Sequence, residues 1–145
     1  MTYRMKRKRI TKTIKLNKKH FIKLWLKPWI MTTSGCVWSV SMVVCQSKRQ
    51  ANDWMTKKRN QRNRKIIINL TGKVANKAQA IGVRVLRQWT SVIPPGDSLV
   101  FDCSCANKEK QFRVWKKWFT KHESSKWIIN DDLKTFFFYR SLHLE

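Results

Sequence analysis

The sequence predicts an α/β fold: a small mixed sheet carrying two packed helices, with a basic N-terminal arm. Three observations predict it. Over residues 75–93 and 107–121, apolar residues recur at spacings of three and four, the period of a helix packed on one face. Around these stretches the apolar residues alternate in twos or form short runs, which is the period of strands. The first 52 residues contain no Asp or Glu, while Lys and Arg recur throughout them. The resulting order is strands, helix, strand, helix, strand.

Residues 1–19 read as a charged arm, because Arg4, Lys6, Arg7, Lys8, Arg9, Lys12, Lys15, Lys18 and Lys19 cannot all pack in a core. His20 to Leu26 reads as a short amphipathic helix, with Phe21, Leu24 and Trp25 on one face and Lys19, Lys23 and Lys27 on another. Pro28 biases Lys27 away from the helical region and ends it. The arm with this helix takes residues 1–32, and an α/β domain takes 33–145. Val37 to Cys45 alternates as a strand, with Trp38, Val40, Met42 and Val44 pointing one way.

Lys48 to Lys65 forms a second basic block, eight Lys and Arg against the single Asp53, and reads as an exposed connection. Three consecutive isoleucines then mark a buried strand over 65–70. The first long helix follows the Thr71-Gly72 turn, with Ala78, Ile81, Val85, Trp89 and Val92 as its packing stripe. Lys77, Arg84, Arg87 and Gln88 face away from that stripe. Pro94-Pro95-Gly96-Asp97 stops the helix and turns the chain into a strand over 98–103, with Leu99, Phe101 and Cys103 on one side. Asn107 is a good N-cap for the second helix, and Glu109 suits its positive first turn. Phe112, Trp115 and Phe119 are its packing stripe. Trp127 to Asn130 and Thr135 to Tyr139 close the domain as strands.

The charge balance points to a partner. Across 145 residues, 32 Lys and Arg face 8 Asp and Glu, a net charge of +24. Such a chain repels itself unless a polyanion neutralises it, and nucleic acid is the commonest polyanion. Its apolar fraction of 42%, with 8 Trp and 7 Phe, supports a real core and excludes a purely disordered basic protein. No run of 18 apolar residues exists, so no membrane-spanning helix is expected. The cations proposed to meet phosphate are Arg4, Lys6, Arg7, Lys8, Arg9 and Lys12 of the arm, and Lys57, Lys58, Arg59, Arg62, Arg64 and Lys65 of the second block. A ridge of Lys110, Arg113, Lys117 and Lys121 on the second helix joins them, as does Arg140. Trp25, Trp29, Trp54 and Trp118 lie off the packing stripes beside Lys or Arg, where they can stack on bases, cap the core or meet a protein.

The chemistry of catalysis is thinly represented. His20, His122 and His143 sit in no motif spacing, and Thr71-Gly72-Lys73 alone does not make a phosphate loop. Asp102, Asp131 and Asp132 are the only carboxylates that suggest a nuclease metal site. Cys36, Cys45, Cys103 and Cys105 read as buried free thiols of a reducing compartment; a four-thiolate zinc site is the alternative. No apolar stretch of a secretory signal follows the first basic cluster. The acid-free, Thr-containing N-terminus also has the composition of a mitochondrial transit segment. No enzyme activity, cofactor or metal is expected.

From Lys77 onward the chain resembles the bacterial-type small-subunit ribosomal protein family called S-eleven. Lys77-Ala78-Gln79-Ala80 stands where that family opens a helix with Ala-Ala-Gln, and Gln79 to Lys117 follows its helix–turn–strand–loop–helix spacing. Lys108-Glu109 and Arg113 resemble the family's basic loop and following Arg. Ile128-Ile129, Asp131 or Asp132, Thr135 and Arg140 echo its closing strand, Asp-x-Thr and Arg. The chain departs from the pattern at Phe136-Phe137-Phe138-Tyr139-Arg140, where the family has His-Asn-Gly-Cys-Arg. At Ser104-Cys105-Ala106-Asn107 it departs again, replacing a glycine-rich loop. Ala78, Gly82 and Val100-Phe101-Asp102 are similar instead to the large-subunit family L-eighteen. Either resemblance implies a structural protein bound to ribosomal RNA and to neighbouring ribosomal proteins, with no membrane partner. The Lys- and Trp-rich divergence implies a mitochondrial small subunit, with a cytoplasmic location as the alternative. The rival reading from the residues is a DNA-binding or nuclease-like protein of a phage or mobile element.

Overall fold

The computed structural model describes residues 7–45, 47, 49, 72–102, 108–122 and 126–142. Among these residues it is a mixed α/β fold, with six strands in one sheet and two long helices. The strands are β1 (Ile10–Lys15), β2 (Phe21–Thr32), β3 (Gly35–Cys45), β4 (Ser98–Asp102), β5 (Trp127–Asn130) and β6 (Thr135–Tyr139). The helices are α1 (Gly72–Val92), before β4, and α2 (Lys108–His122), after it. The sheet order is β1-β2-β3-β4-β6-β5. The first three strands form an antiparallel meander, β4 runs parallel to β3, and β6 and β5 return antiparallel.

The expected arm and its helix are corrected here. Residues 10–15 and 21–32 are strands, and the 32/33 boundary falls in the tight turn of the β2–β3 hairpin. Phe21, Leu24 and Trp25 imitate a helical stripe, but the competing period of two wins: Ile22, Leu24 and Leu26 are all buried on one face. Pro28 does not end β2, because β1 pairs with it only as far as Leu26 and leaves that side unpaired. The register shifts between Pro28 and Ile30, so Trp29 bulges out of the ladder. Asn17 explains the first turn: its Oδ1 accepts from the backbone N–H of Lys19 and of His20, each at 2.8 Å. The predicted strand over 65–70 lies outside the described residues.

Cross-strand register sorts the sheet into two faces. Ile22, Leu24 and Leu26 of β2 share one face with Trp38, Val40 and Met42 of β3, Leu99 and Phe101 of β4, Phe136 and Phe138 of β6, and Trp127 of β5. Both helices pack on this face. Phe112, Trp115 and Phe119 of α2 are buried against it, with Phe119 4.3 Å from Phe136 and Trp115 4.9 Å from Phe101, ring centre to ring centre. α1 buries Ala78, Ile81, Val85, Leu86 and Trp89, while Val92 at the end of the expected stripe is exposed and Ile93 is buried instead. Gly82 lets α1 approach closely: a Cβ there would sit 2.8 Å from Met42 Sδ and 3.1 Å from the Trp115 ring.

Candidate nucleic-acid interface

The α2 ridge follows from helical geometry. Phe112, Trp115 and Phe119 hold one face of α2 on the sheet, so positions three and four residues away from one another on the opposite side must face water. Lys110, Arg113, Lys117 and Lys121 are all exposed there. Glu109 is the sole acid in α2, and it lies in the first turn, where the helix dipole favours it. Lys116, to the side of the ridge, donates from Nζ to Asp131 Oδ1 at 2.6 Å. The exposed Asp131 is thus paired to a lysine, and Asp132 lies beside it in the same turn. Among the described residues, no group of three or more His, Cys, Asp or Glu is placed to hold a metal ion.

The N-terminal cations divide. Lys8 and Arg9 are exposed, and Arg9 lies over the Trp25 ring at 5.5 Å. Lys12 Nζ donates to Gln88 Oε1 of α1 at 2.9 Å. Arg7 is taken up by the fold: its Nε and Nη2 each donate to Asp97 at 2.9 Å. Asp97, fully buried, also accepts from the Cys36 backbone N–H at 2.9 Å and from Trp38 Nε1 at 2.8 Å. Burial pushes the Asp97 carboxyl up, but the hydrogen bonds from Arg7, Trp38 and Cys36 outweigh it and hold it below the usual value. Gly35 makes room for this arrangement, since a Cβ there would lie 2.5 Å from the Gly96 carbonyl oxygen and 2.7 Å from Asp97 Oδ1. Arg140 is also committed: its Nη1 donates to the carbonyls of Ser91 and Ile93, closing the C-terminal end of α1. Arg4, Lys6, Lys57, Lys58, Arg59, Arg62, Arg64 and Lys65 lie outside the described residues.

Asp97 was legible in the sequence only as a turn residue. Nothing local distinguishes a buried carboxylate from the last residue of a Pro-Pro-Gly-Asp turn, because its partners stand 59 to 90 positions away. The off-stripe tryptophans also separate. Trp118 packs among Trp115, Phe119 and His122, with the Arg87 guanidinium over its ring at 5.4 Å, so it seals the gap between the helices. Trp25 is partly exposed between Arg9 and Lys27, each 5.5 Å from its centre. Trp29, at the bulge, is 61% exposed. Trp54 lies outside the described residues.

Cys36 and Cys45 are buried free thiols at opposite ends of β3. Nine strand steps separate them by about 30 Å, so they cannot share one zinc ion. Burial raises both thiols, Cys45 to about 11. Cys103 and Cys105 lie outside the described residues. No helix among the described residues is long and apolar enough to cross a membrane.

No protein-family model, curated protein or solved structure matches this chain.

Proposed function

We propose that the chain is a non-catalytic RNA-binding protein, a structural subunit of a ribonucleoprotein particle. The observation that carries this reading is the α2 ridge: Lys110, Arg113, Lys117 and Lys121 all reach solvent on a helix whose sole acid, Glu109, lies in its first turn. Four aligned cations on a chain of net charge +24 make a surface suited to phosphate. The ribosomal resemblance from Lys77 onward supports ribosomal RNA as the ligand and ribosomal proteins as neighbours, in a mitochondrial small subunit.

The salt dependence of RNA binding tests the reading. The wild-type affinity should fall steeply as salt rises, because each neutralised phosphate releases about 0.7–0.9 of a counterion. Changing Lys110, Arg113, Lys117 and Lys121 together to Gln should reduce the log–log slope by about 3. Arg140→Gln, by contrast, should leave the slope unchanged, since that side chain is spent on α1. An unaltered slope in the fourfold variant would remove the ridge from the interface, and a wild-type chain that binds no RNA would end the proposal.

A further inference from the structure

Among the described residues, α1 and α2 cover one face of the sheet. No described element packs on the other. Register places Lys27, Ser39, Val100, Phe137 and Ile128 in one row across that open face, running from β2 through β3, β4 and β6 to β5. A second row holds Ile30, Val37, Ser98 and Tyr139. Phe137 and Val100 are partly exposed, and Ile128 and Tyr139 are 66% and 46% exposed. Trp25 shares the face on β2, one step beyond Lys27. At the far end, near Cys45, the face is closed: Lys23, Val43 and Cys45 are buried. The open part therefore runs from Trp25 toward the β2–β3 hairpin.

This face has a chemical gradient. Its β1–β2 side presents Arg9 and Lys27, both exposed and both held over the Trp25 ring, with hydroxyls at Thr11, Ser39 and Ser41. Its β6–β5 side presents Phe137, Tyr139 and Ile128. An apolar patch meant for a protein partner would bring apolar residues to both sides, and a purely electrostatic surface would have no use for exposed rings. Cations beside aromatic rings on a flat, hydroxyl-bearing sheet fit an unpaired nucleic-acid strand: phosphates meet the cations while bases lie on the rings. The strand spacing sets the distance from Lys27 to Phe137 at about 14 Å, within the reach of a few nucleotides.

We infer that the sheet face opposite α1 and α2 binds single-stranded RNA by stacking bases on Phe137 and Tyr139, with Arg9 and Lys27 on its phosphates. This rests on the RNA-binding reading above and adds a second, stacking surface on the opposite side of the sheet from the phosphate-binding ridge.

The test uses the full chain and a labelled single-stranded RNA of about 12 nucleotides, within the range one such site covers. Titrations at several salt concentrations compare wild type with the Phe137→Ala/Tyr139→Ala pair. The pair should bind this RNA about ten-fold to several hundred-fold more weakly, with the salt slope unchanged, because rings contribute stacking and release no counterions. Binding to a duplex RNA, carried by the ridge, should stay within about two-fold. The ring-preserving variants Phe137→Tyr and Tyr139→Phe should bind as wild type. Ile128→Glu guards against misfolding: an exposed position tolerates the change, and a negative charge in the path should weaken single-strand binding at least about ten-fold at low salt. Wild-type affinity in both the alanine pair and Ile128→Glu would overturn the inference while leaving RNA binding by the ridge intact. Equal loss for duplex and single strand would also overturn it. So would self-association of the wild-type chain that vanishes in the alanine pair with RNA affinity unmoved, because the face would then belong to a second copy. A wild-type chain that binds neither RNA would overturn both readings.

Discussion

Asp97 accepts four hydrogen bonds from three residues spread over the first half of the chain: two from Arg7, one from the Cys36 backbone and one from Trp38. Removing it leaves the Trp38 and Cys36 donors buried without an acceptor and Arg7 without its anion. Asp97→Ala should therefore cost about 3 kcal/mol, near the lower end for a broken buried pair because Arg7 is partly in water and can rehydrate. The urea midpoint measures it. The pH dependence has a definite sign. The folded carboxyl titrates below its ordinary value of 3.8, so the unfolded chain binds the proton first as pH falls. The contribution is complete above 3.8 and is lost as pH drops through the lower folded value. Asp97→Asn should flatten that limb of the acid-unfolding curve. At the thiols, burial predicts that Cys36 and Cys45 resist alkylation in the native chain at pH 7 and react only after unfolding. Mass mapping of labelled peptides reads this directly.

Among the elements, α1, α2, β3, β4, β5 and β6 were legible because each repeats one period cleanly. Phe112, Trp115 and Phe119 recur at helical spacing and are buried together; Trp127 to Asn130 and Thr135 to Tyr139 flank an Asp-Asp turn and pair with each other. β1 and β2 were not legible. Lysines recur so often through them that alternation is hidden, and Phe21, Leu24 and Trp25 fit a helix as well as a strand until register decides. The α2 ridge was legible for the same reason as the α2 core, since both are read from one period. The Asp97 site and the open sheet face were not, because each assembles residues whose neighbours are set by strand order rather than by sequence. Element packing yields a further prediction at Gly82, where α1 lies against Met42 and Trp115. Gly82→Val should destabilise by about 1–3 kcal/mol through overpacking, despite removing a helix glycine. Arg140→Ala should cost about 1–2 kcal/mol by freeing the carbonyls at the end of α1. Thermal or urea unfolding checks both.

For the whole molecule, charge sets the conditions of stability. With +24 over 145 residues, the free chain repels itself, and salt screens that repulsion. Its Tm should rise as salt increases from about 0.05 to 0.5 M, while RNA binding weakens over the same range. Bound RNA should raise Tm most at low salt, where its affinity is greatest. A Tm that falls with added salt would mean that specific ion pairs, and not net repulsion, dominate. The Arg7–Asp97 tie has a consequence for biosynthesis. A polypeptide leaves its site of synthesis amino end first, so the entire three-strand meander emerges while its anionic keystone is still unmade. The donors of Cys36 and Trp38 and the Arg7 guanidinium must then wait on water until residue 97 arrives, and the nascent chain can close this site only after the middle of the protein has been translated.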